Sequence, residues 1–421
     1  MQDKLNKFFF VICFLNILFL FAVLLDVLLP VGRSLQALLI ILLNCTYIAL
    51  YKTNKSTAKL TRRFTPFSLC FIIYICLLIV QIFVSIFADS STVYLALSLI
   101  LIAVTFWKIL DITYAKNVSI EYVLRPYMYI SEYVMVASVV VFVALLFGII
   151  SLSSYIIDPT KYELFNGNFQ IGGARIFNPL RLIYILDSDR GVKFFGQFGT
   201  FLGICHEPHI STYLISPALF MILAFCRKKL LWLLLFLATV LLSSSVTNLI
   251  LSALCLIAYF WMEYRYLPNI ARVSAYSLLI ITIFFIATNY SYVSESIGLE
   301  IISTKLQTSN MSYDYSANVL SYMYNPESFL GSGILVYCYN PNATDIGYFT
   351  FLLNLIFQSS FIVGIISICS KGNRQSRIIG LGLVYFALHT LKIGQMIYQF
   401  PYLIFMLYIG HILFITQTKK I

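Results

Sequence analysis

The chain has 421 residues, of which 60% are apolar and only 11% charged, against about 25% charged in ordinary globular chains. With 36 Phe, 30 Tyr and a mean hydropathy of +0.90, this composition excludes a disordered, fibrous or conventional soluble protein and predicts a polytopic membrane protein. The net charge of +11 comes from short basic bursts between apolar runs, which argues against nucleic-acid binding.

A bilayer core about 30 Å thick takes roughly 20 apolar residues of helix. On that criterion the chain divides into twelve predicted spans, at 8–29, 35–51, 66–87, 92–110, 133–157, 209–226, 230–243, 246–262, 270–288, 346–369, 378–391 and 397–415. The fold class that follows is all-α: a single transmembrane domain over 1–421 with two large extracytoplasmic loops, 158–207 and 289–345. The run Phe8–Leu29 is too long for the apolar core of a signal peptide and lacks a small-residue cleavage site, so it reads as a retained first span. Leu230 to Trp261 is interrupted only at Ser243–Asn248, and one helix of that length would overshoot a bilayer. A tight hairpin turning at the serines is predicted instead.

Twelve spans put both termini on one side. With the N-terminus inside, the inner segments hold twenty of the 28 basic residues, including Lys52, Lys55, Lys59, Arg62, Arg63, Lys371, Arg374 and Arg377. Positive charge collects in cytoplasmic loops, so both termini are predicted to be cytoplasmic. Twelve of the 17 acidic residues, among them Asp187, Asp189, Glu207 and Asp345, then face outward. Nine cysteines show no Cys-x-x-Cys spacing and no zinc-type pairing with histidine. Seven lie in apolar runs as small hydrophobes. Cys205 and Cys338 fall one in each long loop, where an oxidising compartment permits a bridge and free thiols are the default.

The long loops carry the polar chemistry. Arg175, Arg181, Arg190 and Lys193 lie close together in the first, against the positive-inside trend. Guanidinium forks bind phosphate bidentately, and a lipid pyrophosphate would lie at this depth. The alternative is pairing with Asp187 and Asp189 to fold the loop. The loop ends in Gly203-Ile204-Cys205-His206-Glu207-Pro208-His209. Pro208 suits the first helical turn, which puts Glu207 at or near an N-cap. The helix dipole keeps such a carboxylate ionised, able to accept a proton from a sugar hydroxyl; a plain capping role fits the same position. His206 and His209, three apart, suit interfacial hydrogen bonding, acid-base or substrate contact, or a metal, although the longer spacing of a helical zinc motif is missing. His389 and His411 sit in late spans and read as packed or interhelical hydrogen-bonding residues. The second loop offers Tyr313 and neighbouring tyrosines for sugar stacking or interfacial anchoring, the turn Gly331-Ser332-Gly333, and Asp345-Ile346-Gly347 before an apolar helix.

In this layout the chain resembles the Wzy-type O-antigen or capsular repeat-unit polymerases of bacterial inner membranes. The local matches are Gly203-Ile204-Cys205-His206-Glu207-Pro208, the Ser243–Thr247 turn, Gly331-Ser332-Gly333, and Asp345-x-Gly347. An Arg that commonly precedes the Gly of the Glu-Pro run is replaced by Gly199-Thr200-Phe201-Leu202, and the second loop lacks the Arg often found there. The resemblance implies an inverting-type glycosyltransferase that moves a growing glycan from undecaprenyl pyrophosphate onto a lipid-linked repeat unit. It needs no metal, nucleotide or other cofactor, and it works alongside the lipid bilayer and a chain-length regulator. In it, Glu207, His206 and His209 would be catalytic, and Arg175, Arg181, Arg190, Lys193, Asp345 and Tyr313 would bind substrate. An O-antigen ligase shares the layout but relies on a histidine in the second loop, and residues 289–345 contain none. A flippase would place charges within its spans instead.

Overall fold

The computed structural model describes residues 64–88, 91–115, 119–157, 175–187, 198–205, 208–264, 328–331, 347–392 and 400–418, with residues 7, 10–12, 14–16, 38–39 and 41–46 among the first 46. Helices dominate: α1 (Pro66–Ala88), α2 (Ser91–Ala115), α3 (Ile120–Leu146), α4 (Pro208–Phe225), α5 (Lys229–Leu242), α6 (Val246–Tyr264), α7 (Tyr348–Lys371), α8 (Arg374–Lys392) and α9 (Phe400–Thr418). Three stretches among the described residues, 66–84, 120–146 and 348–371, are long and apolar enough to cross a membrane; α2, α4, α5, α6 and α9 contain shorter apolar segments, and α8 falls in neither group. The break read at Ser243–Ser245 is present, with α5 ending at Leu242, Ser244 at φ 52 and α6 starting at Val246. Predicted spans 8–29, 35–51 and 270–288 lie outside the described residues, apart from the short helical stretches 10–12, 14–16, 38–39 and 41–46 in the first two. There the buried side chains of Asn16 and Asn44 exchange amide hydrogen bonds of 3.1 and 3.2 Å.

The helices expose large apolar side chains and bury a few polar ones among apolar neighbours. On α7 the exposed face carries Leu352, Leu355, Ile356, Val363 and Ile366, while Thr350 and Asn354 are buried. On α6 it carries Ile250, Leu254, Ile257, Phe260 and Trp261, while Asn248 and Ser252 are buried. Both helices are thus apolar on the outer face as well as the buried one, and in water each large apolar side chain left exposed forgoes about 1.5–3 kcal/mol. Hydrocarbon accommodates such an outer face, and on α6 the buried Asn248 and Ser252 meet Thr212 and Ser216 of α4. These apolar outer faces are compatible with a membrane protein.

The span predicted at 133–157 is corrected. The helix runs from Ile120 to Leu146, starting earlier because Ser119 caps it: the Tyr122 amide donates to Ser119 Oγ at 3.3 Å. An i,i+4 ion pair, Arg125 to Glu121 at 3.3 Å, supports a first turn that a hydropathy criterion passes over. Gly148, at φ 65, ends it. Its amide donates to Leu145 O at 3.1 Å and that of Ile149 to Ala144 O at 2.9 Å, the paired bonds of a Schellman stop.

Two compact units are formed, Met1–Tyr133 with Pro217–Lys229 and Ser316–Ile421, and Val134–Ser216 with Leu230–Tyr315. In the first, α1 packs on α2 and α7, α7 on α8 and α9, and α9 on α2. Phe67 meets Phe361 edge-on at 5.7 Å. His411 binds across helices as expected, with Nδ1 at 3.0 Å from Thr65 Oγ1 and 3.1 Å from Ser68 Oγ at the start of α1. His389 is buried and stacks on Tyr385.

The second unit departs from the all-helical expectation. It contains a four-stranded antiparallel sheet in the order β1 (Ile156–Ile157), β2 (Arg175–Phe177), β3 (Tyr184–Asp187), β4 (Thr200–Gly203). The strands are short runs of Ile, Phe, Tyr and Leu, residues suited to a pleated surface. Phe177, Ile183, Ile185 and Phe201 form a buried cluster with Ala137, Val141 and Leu145 of α3 and Leu242 of α5, and Phe142 packs its ring edge-on to Phe198 and Phe201. Buried Ile176, Tyr184 and Leu202 show that the opposite face is covered as well.

Candidate functional site

The sheet places two of the predicted cations. Arg175 opens β2 directly opposite Asp187 at the end of β3, and its guanidinium donates to Asp187 Oδ2 at 3.3 Å. The pairing alternative therefore describes Arg175, which is exposed and ties β2 to β3. Arg181 lies at the tip of the β2–β3 connection, in a single 3-10 turn, Pro179–Arg181, and is exposed. Leu180 and Arg181 both adopt left-handed backbone, φ 54 and 57. Such conformations are disfavoured for L residues and gather at functional sites. Arg190 and Lys193 lie outside the described residues.

From β4 the chain enters α4 through a turn. The register steps between Tyr184↔Gly203 and Ile185↔Phe201, leaving Leu202 as an extra residue, an irregularity that re-aims the end of the strand. Gly203 takes φ 61, and the Cys205 amide donates to Leu202 O at 3.1 Å. A Cβ on Gly203 would overlap Ser211 Oγ of α4 and lie 2.9 Å from Val134 Cγ1 of α3, so strand and helices approach as only glycine allows. Pro208 is the first residue of α4, as predicted. Glu207 immediately precedes it in the chain; Glu207 and His206 lie outside the described residues, and His209 is placed as the second residue of α4 by its backbone. Cys205 is buried, and Cys338, its proposed bridge partner, lies outside the described residues.

Two motifs read separately in the sequence come together here. The Asn248 amide, just after the serine turn, hydrogen-bonds Thr212 Oγ1 in the first turns of α4, and Ser216 Oγ lies 3.4 Å from Ser252 Oγ. Ser211, Thr212, Ser216, Ser243, Asn248 and Ser252 are all buried. Sequence reading passed over the α4 residues because isolated hydroxyls in an apolar run barely lower its hydropathy; the signal was their spacing, one face of α4 matched to one face of α6.

A second pair of motifs meets in the other unit. The turn Ser328–Gly331 lies on the N-terminus of α7, with the Tyr348 amide donating to Ser328 O at 2.8 Å and that of Phe349 to Phe329 O at 3.1 Å. The Gly331 amide donates to Ser328 Oγ at 2.9 Å. Gly347, at φ 78, has no room for a side chain, since its Cβ would overlap the Leu330 carbonyl. Two amides that could have held a phosphate at this helix start are thus occupied by carbonyls. Tyr313 and Asp345 lie outside the described residues.

No protein-family model, characterised protein or solved structure matches the chain. The site therefore stands on its own geometry: a sheet carrying an exposed arginine, a glycine-dependent turn, and a helix start entered through Glu207-Pro208.

Proposed function

We propose that the chain is a glycan polymerase of the bacterial inner membrane, with twelve spans, cytoplasmic termini and its long loops outward. In this reading it transfers a growing polysaccharide from undecaprenyl pyrophosphate to a lipid-linked repeat unit. The observation that supports the reading is that β4, in the sheet whose β2–β3 tip bears the exposed Arg181, ends at Gly203 and α4 begins at Pro208, the residue that follows Glu207 in the sequence. Glu207 accepts the proton of the acceptor hydroxyl, with His206 or His209 orienting it. The hydroxyl oxygen attacks the anomeric carbon as the bond to pyrophosphate breaks, inverting that centre. Charge gathers on the departing pyrophosphate, and stabilising it is the largest demand on the site. Arg181, Arg190 and Lys193 meet that demand, Arg175 holds the sheet in register, and Tyr313 and Asp345 contact the glycan. Lipid-linked donors fit an outward site, because activated nucleotides are confined to the cytoplasm.

The test is the glycan ladder of a strain carrying Glu207→Gln, which keeps size and hydrogen bonding but removes the base. Glycan should collapse to one capped repeat at unchanged protein level. A helix cap alone would tolerate Gln at a cost of about 1 kcal/mol, so a normal ladder at native expression eliminates the catalytic role. Loss of every transferred unit on deleting the gene would point to a ligase.

A further inference from the structure

Where α3 stops, the chain exposes apolar side chains that the sheet's core does not use. Phe147 and Ile149, on either side of Gly148, are each 73% exposed, Ile156 on β1 is 57% exposed and Leu180 44%. They belong to one small region. The turn Leu152–Tyr155, which leads from α3 into β1, packs against Pro179–Arg181, and the Asn178 amide donates to Tyr155 O at 2.9 Å. Left in water, such side chains cost about 1.5–3 kcal/mol apiece relative to burial. The region is also continuous with the end of a 27-residue apolar helix, so it lies where a bilayer meets water.

The tip Leu180–Arg181 adds a second observation. Its two left-handed residues are held by Arg181 N to Asn178 O at 3.2 Å and Leu182 N to Pro179 O at 3.1 Å, with Pro179 and Ile183 buried on either side. Left-handed backbone costs roughly 1–2 kcal/mol per L residue, so packing imposes this geometry against local preference. Its effect is to set an exposed apolar side chain beside an exposed guanidinium. That combination fits the boundary between acyl chains and lipid phosphates, where apolar groups sink and cations stay at the headgroups.

We propose that Phe147, Ile149, Ile156 and Leu180 seat the sheet in the interfacial layer of the bilayer, about 5–10 Å deep, so that Arg181 meets lipid phosphate. The inference rests on the membrane part of the reading above and not on its polymerase chemistry. Seated this way, the sheet fixes the height at which Arg181 works, and the phosphate of any lipid-linked substrate arrives at that height.

The experiment uses the full chain in phosphatidylcholine vesicles whose acyl chains carry bromine, a contact quencher of tryptophan. Leu180→Trp and Ile156→Trp are made separately, and emission is compared with the parent protein, which has three tryptophans. The added emission of each variant should fall about 2-fold, more with bromine near the glycerol than at the chain end, as interfacial depth requires. Emission from both that ignores bromolipid but is quenched by acrylamide in the water would overturn the proposal. In detergent without phospholipid, inorganic phosphate should leave Leu180→Trp emission unchanged; a response there would reassign Arg181 to soluble phosphate and overturn the lipid assignment. A normal glycan ladder from Glu207→Gln would sink the polymerase reading and leave these quenching results untouched.

Discussion

Arg175 and Arg181 look alike in the sequence and differ in the fold. Arg175 spends its guanidinium on Asp187 across the β2–β3 ladder, whereas Arg181 stands at a tip whose backbone is held in an unfavourable conformation. Arg175→Ala should therefore cost at most about 1 kcal/mol, the range of exposed ion pairs, and leave glycan length nearly normal. Arg181→Ala should shorten the glycan at unchanged protein level, and Lys should restore little of it, because a single ammonium cannot grip phosphate bidentately. Gel analysis of the surface glycan with immunoblotting of the protein checks both; equal ladders from the two variants would remove the distinction. At Gly203 the demand is steric. Alanine there adds left-handed strain to overlap with Ser211, and it should lower stability by about 2–4 kcal/mol, read as a fall in melting temperature in detergent.

At the scale of elements, the end of α3 decides how much chain belongs to the sheet. The apolar run 133–157 invited one long span, but Gly148 closes the helix and passes Ile149–Ile157 to the 3-10 turn and β1. Gly148→Ala should destabilise by about 1 kcal/mol, since the left-handed stop is lost while nothing crowds the position. The α4–α6 pair makes a different prediction. A double-mutant cycle with Thr212→Val and Asn248→Ala should show coupling of about 0.6 kcal/mol, the usual size for a hydrogen bond between membrane helices. Zero coupling by thermal unfolding in detergent would mean that the seam is held by packing alone.

For the whole molecule the prediction is orientation. Reporter fusions after Gly173 should be active outside the cytoplasm and fusions after Lys59 inside it, because the basic residues divide twenty to eight on that arrangement. An active cytoplasmic reporter after Gly173 would reverse the layout and remove the lipid-pyrophosphate reading with it. The apolar outer faces of α6 and α7 do not depend on that outcome, since a bilayer is symmetric in its hydrocarbon.

Helices α1, α2 and α4 to α9 were legible in the sequence to within a few residues, because long apolar runs punctuated by charge, proline or serine are a one-dimensional signal. So were Pro208 as a helix start and the break at the serines, both set by local chemistry. The sheet was not, since its strands are two to four residues long and sit in a loop where no periodicity can register. Only tertiary structure paired Arg175 with Asp187, brought Asn248 to Thr212, and set Ser328–Gly331 on the start of α7. Those contacts join residues far apart in the chain. Hydropathy and capping act within a few residues, so the sequence determines which segments form apolar helices, while packing decides which of its polar groups are consumed by the fold and which are left to meet a ligand.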